Sequence, residues 1–135
     1  MLRRCLVLTP LALLAIAPAA GHATSVAATA PDPFMTPSKQ IRCAWVPGSK
    51  STQPGFIRCD ALFLNDTGFL LDRKGKGKRI HVTDTIADPE APVLAYGKTY
   101  KHGQYRCTSR QSGLTCERGK SGHGFFISRQ RQRVY

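Results

Sequence analysis

Short apolar and β-branched segments, separated by glycine, proline and asparagine, fill the last hundred or so residues of this 135-residue chain. Segments 41–46, 56–63, 68–71, 79–85, 93–96, 105–109, 114–117 and 124–128 read as strands, and no heptad or long helical period competes with them. That rhythm predicts an all-β domain, a small antiparallel sandwich or barrel.

The N-terminal residues follow another pattern. Arg3 and Arg4 precede an apolar run from Cys5 to Ala20, broken only by Thr9, Pro10 and Pro18, and small residues follow. This is the layout of an export signal, with cleavage expected after Ala23 and a competing site at Ala17-Pro18-Ala19. Two prolines and an apolar stretch shorter than about 18 residues disfavour a spanning helix, so no transmembrane span is expected in the mature chain. The expected organisation is a signal over 1–23, a flexible Ala/Pro/Ser/Thr-rich lead-in over 24–33 and one domain over 34–135. The expected location is the periplasm or the extracellular space.

Four cysteines remain after Cys5 leaves with the signal: Cys43, Cys59, Cys107 and Cys116. Each neighbouring pair brackets a turn, Pro47-Gly48 with Pro54-Gly55 in one case and Gln111-Ser112-Gly113 in the other. Four cysteines allow three connectivities. Two local disulfides, Cys43 with Cys59 and Cys107 with Cys116, are the expected set for a small stapled domain in an oxidising compartment. Neither pair has the C-x2-C spacing of a zinc site, so no metal is expected. The phrases Ile41-Arg42-Cys43, Ile57-Arg58-Cys59 and Tyr105-Arg106-Cys107 put cysteine and arginine on opposite faces of a strand.

Charge adds a partner class. The formal net charge is +12, and loss of Arg3 and Arg4 lowers it to +10. Such a surplus favours anionic ligands or surfaces without choosing among them. Its dense run is Arg73, Lys74, Lys76, Lys78 and Arg79, spaced by glycines, while Arg129, Arg131 and Arg133 alternate and share one face if a strand continues through them. Glycines also flank His123, which with His81 and Asp84 forms a candidate polar site; His102 is a further histidine that could gather with them. No nucleophile motif, carboxylate pair or metal box accompanies it, so no catalytic residue and no cofactor is assigned.

Phe34-Met35-Thr36-Pro37-Ser38, Ile41-Arg42-Cys43-Ala44 and Ile57-Arg58-Cys59-Asp60 resemble the opening of a family of short exported bacterial proteins of unknown function. Later phrases continue the likeness: Val82-Thr83-Asp84-Thr85, Val93-Leu94-Ala95-Tyr96-Gly97, Tyr105-Arg106-Cys107-Thr108-Ser109, Ser112-Gly113-Leu114-Thr115-Cys116 and Gly122-His123-Gly124-Phe125-Phe126-Ile127-Ser128-Arg129. The resemblance implies export and disulfide bonding and carries over no catalytic residue. It also implies a further mid-domain cysteine pair near residues 70–81, where this chain has none.

Two function classes follow. One is a non-enzymatic cationic module that binds an anionic ligand or envelope surface through the 73–79 run and the tail arginines. The alternative is a small secreted hydrolase, nuclease-like, using His123 with Asp84 or His81. The sequence names no protein partner.

Overall fold

The computed structural model describes residues 30–48, 55–86 and 88–135. The export signal expected over 1–23 lies outside the described residues, as does most of the lead-in. Ten strands follow in order: β1 (Asp32–Met35), β2 (Ile41–Val46), β3 (Phe56–Ala61), β4 (Thr67–Leu71), β5 (Lys78–His81), β6 (Thr99–His102), β7 (Tyr105–Arg110), β8 (Gly113–Arg118), β9 (Gly124–Ile127) and β10 (Gln132–Val134). They form two five-stranded antiparallel meanders, β1-β2-β3-β4-β5 and β6-β7-β8-β9-β10. The all-β expectation holds, and both local disulfides are formed, Cys43–Cys59 and Cys107–Cys116.

One plan builds both sheets. In the first, Phe34, Cys43, Cys59 and Phe69 lie in a row across β1 to β4; in the second, Tyr100, Cys107, Cys116 and Phe125 form the matching row across β6 to β9. Each disulfide joins the second and third strands of its meander, where side chains directly opposite each other share a face. The rows point inward and meet. Phe34 stacks on Tyr100 with ring centroids 4.3 Å apart, and Phe69 meets Phe125 at 5.8 Å. Ile57, Leu71, Leu114 and Ile127 complete a fully buried interior; burying a side chain of this size contributes about 1.5–3 kcal/mol.

The β5–β6 connection gives the two sheets different fates. From β5 it crosses the outer face of the first sheet to β1, where Val93 bridges Met35 in parallel, with Met35 N–H donating to the Pro92 carbonyl at 2.9 Å. Beneath it the outer-facing residues Met35, Ala44 and Asp60 are buried. Arg58 and Asp60, two apart on β3, fasten the crossing. Arg58 donates to both Asp60 oxygens at 2.9 and 3.2 Å and to the Asp84 carboxylate at 3.0 Å, while Ile86 N–H donates to Asp60 at 3.2 Å. Burial opposes the Arg58 charge, but the Asp60 and Asp84 carboxylates outweigh it and raise its pKa.

Several expectations change in detail. The segment read as a strand over 79–85 pairs only to His81, and residues 83–86 turn onto the first sheet. The segment 93–96 supplies a single bridge at Val93. Three strands that the apolar pattern did not mark, β1, β6 and β10, all lie at sheet edges.

Candidate anion-binding surface

The outer face of the second sheet is open. Register places Lys101, Arg106 and Glu117 in one row and Thr99, Thr108, Thr115, Phe126 and Arg133 in the next, with Arg110 opposite Gly113. Lys101, Arg106, Arg110, Glu117 and Arg133 are exposed. The alternation of β7 explains the arrangement: Tyr105, Cys107 and Ser109 turn inward, so Arg106 and Arg110 must face out. Arg131 and Arg133 lie over rings of this face, Arg131 5.3 Å from the Phe126 centroid and Arg133 4.9 Å from that of Tyr135. Five cations therefore share the face with one acid, Glu117, which accepts the Tyr135 hydroxyl at 3.2 Å.

The basic run adjoins this face across a tight seam. Gly77 N–H donates to the Tyr135 carbonyl at 3.0 Å, and that carbonyl also accepts Gly124 N–H at 2.8 Å. A Cβ on Gly77 would collide with the Gly124 carbonyl, so the seam requires glycine there. Arg73, Lys74 and Lys76 project into solvent. Lys78 pairs with Asp72 at 2.7 Å, and Arg79 lies exposed on β5. Arg118 of β8 organises the loop from within. Buried at 7 % exposure, it donates from one guanidinium nitrogen to the carbonyls of Asp72 at 2.6 Å and Gly75 at 3.1 Å.

The tail arginines divide. A turn closed by Ser128 N–H to the Arg131 carbonyl at 2.8 Å separates β9 from β10, so no single strand carries all three. Arg131 and Arg133 stay with the open face. Arg129 turns to the first sheet, donating to Gln40 Oε1 at 3.3 Å and lying 5.3 Å from the Phe63 ring centroid.

The polar trio is dispersed over separate attachments. His81 is exposed on β5, Asp84 serves Arg58, and His123 sits in the β8–β9 turn with its N–H on Ser121 Oγ at 3.1 Å. Among the described residues, no hydrogen bond or ion pair joins any two of them, and no group of three His, Cys, Asp or Glu side chains is placed to hold a metal. His102 stacks on Trp45 at 3.8 Å and approaches Asp32 at 3.5 Å. Sequence reasoning missed Lys101, Arg106 and Arg110. The signal was present in the arginine beside Cys107, whose inward direction fixes its neighbours outward.

Fold and surface define a small disulfide-bonded all-β domain with one cationic sheet face. The chain belongs to a family of unknown function, DUF6636, whose model matches residues 47–135. The match starts just past β2, so it includes Cys59 but not its partner Cys43. No curated protein and no solved structure matches the chain. Among the described residues, no helix is long and apolar enough to cross a membrane.

Proposed function

We propose that this domain works outside the cytoplasm as a non-catalytic module that binds an anionic polymer across the open face of its second sheet. One observation carries the reading: the first sheet's outer face is roofed by the β5–β6 connection, whereas the second sheet exposes five cations against one acid. The exposed loop cations Arg73, Lys74 and Lys76 extend the same field across the Gly77 seam. An antiparallel sheet sets neighbouring strands about 4.8 Å apart, which brings Lys101 of β6 beside Arg106 of β7 at the scale of the charges along an extended polyanion. Guanidinium groups add bidentate geometry toward carboxylate, sulfate or phosphate.

The test is binding of immobilised polygalacturonate, dextran sulfate and polyphosphate at about 0.1 M and about 1 M salt, where screening lengths are about 10 and 3 Å. Affinity is expected to fall steeply between the two. A cation near an anionic surface contributes about 1 kcal/mol, so the double variant Arg106→Gln, Arg133→Gln should weaken binding about 30-fold at low salt. Arg42→Gln, on β2 of the other sheet, should change little. Equal loss in both variants, or binding indifferent to salt, refutes the open face as the site.

A further inference from the structure

Four turns from both sheets converge at one end of the sandwich around a recess of about 190 Å³. The β1–β2, β7–β8 and β9–β10 turns meet there with Phe63 of the β3–β4 loop and with Tyr96. Two guanidinium groups, Arg110 and Arg129, border it, and no Asp or Glu lines it. Arg129 is held in place by Gln40 and Phe63, whereas the Arg110 guanidinium has no hydrogen-bonded or ionic partner among the described residues. The side-chain amides of Gln111 and Gln130 and the Tyr96 hydroxyl are likewise uncommitted, while the hydroxyls of Thr36 and Ser38 are spent on each other and on the turn backbone.

We propose that this recess seats one acidic sugar residue of the polymer bound by the open face. The inference rests on the polyanion reading and names the polymer's chemistry as an acidic polysaccharide. The volume lies below the roughly 300–1,000 Å³ of clefts that take drug-sized ligands, which suits a single ring with the chain continuing outside. Carboxamides present donor and acceptor side by side, as vicinal sugar hydroxyls do. Arg110 and Arg129 provide the two forks for a carboxylate or sulfate. Arg129 already occupies a face of Phe63, leaving Tyr96, at 46 % exposure, as the ring in the lining with no cation over it and free to pack on the apolar side of a sugar. Arg110 belongs to the open sheet as well as the recess, so a chain leaving the pocket that follows β7 passes Thr108 to reach Arg106 and Lys101.

The experiment titrates the intact oxidised domain with trigalacturonate, maltotriose and a thymidine trinucleotide, following backbone amide shifts by NMR. Trigalacturonate should perturb Tyr96, Gln111 and Gln130, maltotriose should bind at least about tenfold more weakly, and Arg129→Gln should cost about tenfold, the value of a hydrogen bond to a charged group. Tyr96→Ala should also weaken the trisaccharide without altering the fold, since the ring is exposed. Arg106→Gln should weaken the long polymer more than it weakens the trisaccharide, which separates the pocket from the face. Preference for the trinucleotide, equal binding of maltotriose, or shifts confined to β6–β8 with Tyr96→Ala silent overturns the pocket assignment even if polymer binding by the face stands.

Discussion

Arginine does three separate jobs in this domain, and burial with partner type separates them. Arg58, paired with two carboxylates, fastens the β5–β6 connection; Arg118, surrounded by carbonyls, shapes the basic loop; Arg106, Arg110 and Arg133 face solvent and carry the anion reading. Removing Arg118 deletes its bonds to the Asp72 and Gly75 carbonyls and leaves a gap beneath the loop. Hydrogen bonds from charged donors are worth about 1.5–3 kcal/mol, so Arg118→Ala should lower unfolding free energy by about 3 kcal/mol in a denaturant titration, and Arg118→Lys should recover only part because the lysine nitrogen ends about one bond short of the Arg118 nitrogen that makes both bonds. Asp60→Asn should cost a similar amount by leaving Arg58 half-paired in a site where its side chain is 11 % exposed, and should speed exchange of the Ile86 amide. Ser109 behaves oppositely. Its hydroxyl is fully buried on the inner face of β7 with no partner among the described residues, so Ser109→Ala should raise stability by about 1 kcal/mol.

At the scale of elements, the repeated meander makes the two disulfides equivalent in position but unequal in span. Their sequence separations are 16 and 9 residues, for which chain entropy gives about 3 and about 2.5 kcal/mol. The paired variants Cys43→Ala, Cys59→Ala and Cys107→Ala, Cys116→Ala should therefore lose stability in that order, read as denaturation midpoints under oxidising conditions. Both bridges were legible because each cysteine pair brackets turn residues, and Cys43, Cys59 and Cys107 each follow an arginine on the opposite face. Central strands were legible too, since β2, β3, β7 and β8 bury alternate residues against the other sheet. The edges were not. β1 carries Pro33, tolerable only where one side of a strand lacks a partner, and β6 reads Thr-Tyr-Lys-His with one strong apolar residue. β10 is three residues long and has one aliphatic side chain, Val134. For the candidate surface, the clustered charges of the loop and tail were visible along the chain. Lys101, Arg106 and Arg110 were not, because strand pairing brings them together from two strands.

For the whole molecule, tyrosines tie the two sheets, and their protonation links the assembly to pH. Tyr100 of β6 donates to the Asp32 carboxylate of β1 at 2.8 Å, and Tyr105 of β7 donates to the Gly55 carbonyl ahead of β3 at 2.8 Å. Burial, then the Asp32 carboxylate, holds the Tyr100 pKa far above the usual tyrosine range. Burial is also the main cause that raises Tyr105, with Arg118 opposing it and Asp72 adding to it, and burial with Glu117 raises Tyr135. All three folded values exceed the unfolded value of about 10, so the folded state retains protons that the unfolded chain releases. Their stabilisation is complete below about pH 10 and drains away as pH climbs toward the folded values. The difference between wild type and Tyr100→Phe isolates the Tyr100 contribution, because every other ionisable group is common to both. Denaturant midpoints measured from about pH 8 to about pH 12 should fall less steeply for the variant; parallel curves would mean that the Tyr100–Asp32 contact does not couple the sheets to pH.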